Sequence, residues 1–242
     1  MRIASLLALL LVICAPAFAD QPALAAAAQA AAGGDYRAAV RNYEQVLDRE
    51  GFSAPLLFNL GNAWLRLGNP ARAILNYERA LVLSPHNAAI EANLAAAQQR
   101  AGLAPQEVGP WLAAARYFSF DTYVWAGLGA VWALCAALVL LCLTDTARRI
   151  ARPLILLGVV TLCVSVDAAA LVWPDLQRAV VVVAAVMHLA PAESAATSGS
   201  LPAGEVVWLQ EHYAGFNFVR TADGRAGWVS DAAAVAVRAA RP

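Results

Sequence analysis

The sequence predicts a multi-domain membrane protein with an all-α helical repeat, a two-helix transmembrane hairpin and a small all-β barrel, in that order. Three observations carry this. Residues recur at a spacing of 34 through the first hundred positions; two apolar runs, Tyr123 to Leu143 and Leu154 to Trp173, flank a short arginine-rich segment; and from Ala179 the pattern changes to brief β-rich runs between turn residues.

Composition bounds what the chain can be. Of its 242 residues, 61% are hydrophobic and 14% charged, an apolar excess that two spans, an export signal and many alanines explain without one large core. Net charge is formally zero and no basic cluster lies outside the segment between the apolar runs, so no nucleic-acid partner is expected. The four cysteines, Cys14, Cys135, Cys142 and Cys163, all fall inside apolar segments. No disulfide framework, metal site or cofactor is therefore expected in the soluble parts.

Arg2, the apolar run Leu6 to Ile13 and Ala17-Phe18-Ala19 read as the charged start, apolar centre and A-x-A cleavage site of a signal peptide over residues 1–19. Cys14 invites a lipoprotein reading, but Ile13 stands where such signals need a small residue.

Residues 20–102 form the repeat segment. Shifting the chain by 34 aligns Gly34 with Gly68, Asn42-Tyr43-Glu44 with Asn76-Tyr77-Glu78, Asn59-Leu60 with Asn93-Leu94, and Gly68 with Gly102. With Leu60-Gly61, Trp64, Ala73, Tyr77, Ala80 and Pro85 at their intervals, the segment closely resembles the tetratricopeptide repeat. Helices are expected at about 22–32, 36–49, 54–67, 70–83 and 88–101, giving two repeats and a capping helix. Gly61 and the small Ala73 and Ala80 let the paired helices approach, while Tyr77 and Leu60 fill the space between them. The first repeat departs from the pattern, with Ala26 and Ala27 in place of Leu60 and Gly61.

In this register Phe58, Asn59, Asn62, Arg66, Asn93 and Arg100 face the inner groove, where asparagine amides can pair with a peptide backbone. A purely structural role for the asparagines is the other reading. Leu24 and Ala28 stand where carboxylate-clamp members of the family carry Lys and Asn, which argues against binding a free C-terminal carboxylate. Residues 103–121, with Pro105, Gly109, Pro110 and Trp111, read as a linker and interfacial segment.

The first apolar run (residues 122–143) carries no charge after Asp121 and is long enough for a ~30 Å bilayer core; the second (154–174) carries only Asp167. Arg148, Arg149 and Arg152 in the intervening loop, residues 144–153, place it in the cytoplasm and both soluble parts outside. The resulting localisation is the bacterial cytoplasmic membrane. Asp167 is protonated or reaches the outer interface, or it meets a charged residue of another membrane protein as an intramembrane contact.

Residues 179–238 hold strands expected at Val180 to Met187, Glu205 to His212, Phe216 to Arg220 and Ala226 to Ser230, with turns at Ser198-Gly199-Ser200, Pro202-Ala203-Gly204 and Ala222-Asp223-Gly224. The runs Leu201 to Val207, Gly215 to Arg220 and Asp223-Gly224-Arg225-Ala226-Gly227-Trp228-Val229 resemble the successive signatures of bacterial SH3 domains, which implies an SH3-like barrel with Trp228 as its core aromatic. Trp208, Tyr213 and Phe216 are a candidate ligand surface.

Signal peptide, tetratricopeptide repeats, two-span anchor and bacterial SH3 domain, in this order, resemble the BatE proteins of the Bacteroides aerotolerance operon type. That resemblance implies membrane-anchored von Willebrand factor A-domain proteins as partners and a role in envelope integrity or stress tolerance. The expected function is a non-catalytic scaffold, with peptidoglycan binding through the SH3-like domain as the alternative. An enzyme is not expected, because His188 and His212 lack metal-ligand spacing and no nucleophile motif or phosphate loop is present.

Overall fold

The computed structural model describes residues 21–104, 109–143 and 145–238. The expected signal peptide and part of the expected linker lie outside them. Five helices come first: α1 (Gln21–Ala32), α2 (Tyr36–Glu50), α3 (Ala54–Arg66), α4 (Pro70–Leu83) and α5 (Ala88–Arg100). Several of these starts and stops have a local cause. Asp35, Asn69 and Asn87 accept hydrogen bonds from the first-turn amides of α2, α4 and α5, and Pro70 opens α4 where its missing N–H costs nothing. Gly34, Gly68 and Gly102, one period apart, adopt φ of 82°, 76° and 72°, the left-handed turn that ends the first helix of each pair.

The repeat core forms where the identities recur. Ala27, Ala39, Val40, Tyr43, Val46, Leu56, Leu60 and Ala63 make one cluster, so the divergent first repeat packs despite its small residues. Leu57, Ala73, Ile74, Tyr77, Ala80 and Ile90 lead the second. Gly61 is the point of closest approach: a Cβ there would stand 2.6 Å from Tyr77 Cε1.

A short helix α6 (Pro110–Ala115) leads to α7 (Phe120–Leu141) and α8 (Asp145–Val172), both long and apolar enough to cross a membrane. They pack as an antiparallel hairpin along a seam of small residues: Ala130, Ala137, Ala151, Gly158 and Ser165 are buried there, and a Cβ on Gly158 would meet Leu134 at 2.9 Å. Residues 145–153 are helix, not the expected loop. The second helix begins at Asp145 and runs through Pro153, because Asp145 complements the helix N-terminus while Arg148 bridges Asp145 and the terminal carbonyl of Leu141.

A 3₁₀ turn (Trp173–Gln177) joins the hairpin to seven strands: β1 (Arg178–Val181), β2 (Ala185–His188), β3 (Thr197–Leu201), β4 (Val206–Tyr213), β5 (Phe216–Thr221), β6 (Ala226–Ser230) and β7 (Ala234–Ala236). They form one antiparallel sheet in the order β3-β2-β6-β5-β4-β1-β7. Its two edge strands, β3 and β7, do not pair, so the sheet is not closed, unlike the barrel the sequence predicted. The expected strand Val180 to Met187 divides into β1 and β2, and the expected turn Ser198-Gly199-Ser200 is strand β3 on β2, with Gly199 giving the room that Met187 takes.

The sheet's interior is aliphatic: Val181, Met187, Leu201, Val207, Val219 and Val229 are fully or almost fully buried. Trp228 is not in it. Strand alternation buries Gly227 and Val229 instead, because the β2–β3 hairpin presses on that face so closely that a Cβ on Gly227 would lie 2.9 Å from Met187 Cβ. The sheet's other face docks on the repeat, where Val180 and Val237 join the cluster of Ile74 and Tyr77, with Val182, Val206 and Val235 beside them.

Candidate functional site

The groove candidates fall into two groups. Asn62 lies at the centre of a small polar network: its Oδ1 accepts from Tyr77 Oη at 2.7 Å and from Asn93 Nδ2 at 2.9 Å, tying α3, α4 and α5 together. Burial pushes the Tyr77 hydroxyl up to about 12, although Arg100 nearby pulls it the other way, so it stays a neutral donor. Phe58 is half-buried and packs towards Tyr77 with ring centroids 6.0 Å apart. These residues form a partly buried contact between α3, α4 and α5. Arg66 and Arg100 are exposed and, among the described residues, make no ion pair; Asn59 is half-buried beside them. The sheet docks on α4 and, through the turn at Gly204, on Ala101 and Leu103 just beyond α5, next to Arg100.

Asp167 is exposed on the side of α8 turned away from the hairpin seam. The hairpin register sets Gly127 against Ser165 and Phe120 against Trp173, which puts Asp167 level with Trp125. The helix Phe120–Leu141 contains no basic residue to pair with it. Between Arg152 and Asp167 lie residues 153–166, a charge-free stretch of roughly 21 Å at helical rise.

Trp208, Tyr213 and Phe216 share one face of the sheet. The register pairs Tyr213 with Phe216, Trp208 with Arg220, and Phe218 with Trp228, and alternation along β5 puts Phe216, Phe218 and Arg220 on one side. The aromatic face therefore also includes Phe218 and Trp228, whose rings lie 5.3 Å apart. Sequence reasoning passed over Phe218 and placed Trp228 inside; the alternation Phe216-Asn217-Phe218 was the available signal. His212 contacts Asn217 and Asp231 at 3.2 Å each, at an exposed position, and His188 contacts the Ala195 carbonyl at 3.0 Å.

A charged junction joins all three parts, and no sequence pattern pointed to it. Glu78 on α4 pairs with Arg178 on β1 at 2.7 Å, both largely buried. Arg116 forms a bidentate pair with Asp175 of the 3₁₀ turn, at 2.7 Å for each bond. Burial opposes the Arg116 charge, yet Asp175, with Glu78 adding to it, raises its pKa overall. Arg79 donates to the Ala236 carbonyl at 2.9 Å and lies over the Phe52 ring, and burial lowers its pKa.

Residues 54–87 match the family model of the tetratricopeptide repeat, the span from α3 through the turn after α4. No curated protein matches the chain.

Proposed function

We propose that this protein is a non-catalytic, membrane-anchored scaffold that holds protein partners outside the cytoplasmic membrane. A tetratricopeptide repeat implies protein–protein interaction, and the observation that carries the reading is the polar set Asn59, Arg66 and Arg100 on the repeat, half-buried at Asn59 and exposed at both arginines. The α7–α8 hairpin serves as the anchor, with the arginines at the start of α8 on the cytoplasmic side. In a ~30 Å hydrocarbon core the charge-free stretch of α8 is too short to hide both its flanking charges; Arg152 snorkels inward and Asp167 comes to lie at the outer boundary beside Trp125. The BatE-like order of parts supports membrane-anchored von Willebrand factor A-domain proteins as partners in an envelope-integrity or stress-tolerance complex.

Cross-linking in native membranes tests this. Asn59→Ala/Arg66→Ala is expected to lose membrane-protein partners that wild type retains, whereas Asn93→Ala would disturb the contact between α3, α4 and α5 and is a poorer probe. Partners unchanged by the double substitution would sink the groove reading. The aromatic face of the sheet favours one second reading, an SH3-like wall-binding domain; co-sedimentation of the full chain with peptidoglycan, lost on Tyr213→Ala/Phe216→Ala, would move the function there.

A further inference from the structure

The end of the repeat that carries the turn between α4 and α5 lies at the height of the hairpin's upper end. A cleft of about 220 Å³ is lined by Val82, Pro85 and His86 on one side and by Phe118, Phe120 and Val172 on the other. Phe120 is the first residue of α7 and Val172 the last of α8. A chain of rings runs along this level: His86 to Tyr117 at 5.0 Å, Tyr117 to Phe118 at 5.0 Å, and Phe118 to Tyr123 at 6.1 Å. The Tyr123 hydroxyl donates to the Ala115 carbonyl at 2.9 Å, fixing the short helix α6 to the same end of the hairpin.

The floor of the cleft is the charged junction of Glu78, Arg178, Arg116 and Asp175, whereas the outer rim of the repeat end mixes apolar Val82 and Leu83 with the polar turn Ser84, His86 and Asn87. Val82 and Leu83 are 40% and 49% exposed; Val82 shares the cleft with Phe118, and His86 stacks on Tyr117, both of these aromatic residues being exposed too. Apolar surface continuous with a bilayer-crossing element has an available cover, the outer leaflet, and aromatic residues favour its headgroup zone. We propose that the α4–α5 turn is a third membrane contact: Val82, Leu83 and His86 rest among the lipid headgroups, and the repeat lies on the bilayer rather than projecting from it. This rests on the reading that α7 and α8 cross the membrane. Docking here needs no partner protein; the occupant is a lipid surface, reached by residues within about 10 Å of the headgroup boundary.

The test uses the full chain in phospholipid vesicles, with native cysteines replaced by alanine and one environment-sensitive fluorophore at Leu83→Cys, Arg66→Cys or Leu138→Cys. Arg66 is at the end of its repeat opposite Leu83, roughly 20 Å away along α4, and Leu138 lies inside α7. Brominated lipids are expected to quench the probes at Leu83 and Leu138 severalfold more than the probe at Arg66. Quenching at Leu138 alone would overturn the third contact while leaving the spans in place. Quenching at neither would overturn the membrane reading and this inference together. A second probe at Val82→Cys must follow Leu83; a Val82 probe indistinguishable from Arg66 also refutes the proposal.

Discussion

Arg178→Ala is the most informative single substitution, because it removes the only direct ion-pair partner that Glu78 has among the described residues. The two side chains are 15% and 5% exposed, and the bond is 2.7 Å. Breaking a buried pair from one side costs about 3–5 kcal/mol, since the remaining charge stays desolvated. Arg116, whose pKa responds to Glu78, retains part of the compensation, which sets the expectation at the lower end, about 3 kcal/mol. That corresponds to roughly a hundredfold change in a local opening equilibrium. The assay is amide hydrogen exchange on the full chain in a bilayer mimic, read separately for β1 and α4. Exchange should rise by about that factor at the α4–β1 contact and little in α1 or α2. The double replacement Glu78→Leu/Arg178→Leu should recover most of the protection, because an apolar pair of similar volume leaves no buried charge. If Arg178→Ala exchanges within about threefold of wild type at β1, the contact does not hold the sheet to the repeat and the reasoning fails.

Gly61→Ala should destabilise the repeat by about 1–2 kcal/mol: overpacking against Tyr77, fixed by its bond to Asn62, outweighs the helix-propensity gain of up to about 1 kcal/mol. A helical melting curve of the full chain at or above wild type would contradict this. In the β5–β6 turn, the Thr221 hydroxyl and Arg225 hold the Asp223 carboxyl down to about 2, below its ordinary 3.8. A depressed carboxyl lends stability that is complete above its ordinary value and is lost as pH falls through the folded value, so the turn should loosen only towards pH 2. Carbon-13 titration of Asp223 checks the midpoint, and Arg225→Ala should move it up; an unmoved midpoint would show that Arg225 is not a cause.

The repeat was legible because its causes are local. Capping residues, Pro70 and the glycines at 34-residue intervals place several helix boundaries within a turn of where they lie, and Gly61 with Tyr77 identifies the closest packing point. The apolar helices were legible by length, although Asp145 and Arg148, by closing the connection, turned the expected loop into helix. The strands were readable as alternating runs, but alternation fixes only which residues share a face. The tertiary structure chose the inner face: the β2–β3 hairpin packs on Gly227 and Val229 and leaves Trp228 outside with Phe218. It also decided the joining of the parts, since Glu78 and Arg178 lie 100 residues apart and neither belongs to a motif that predicts the other. Local propensity and periodicity act through neighbours in the chain, whereas a buried ion pair and a shared apolar cluster exist only once distant segments have met.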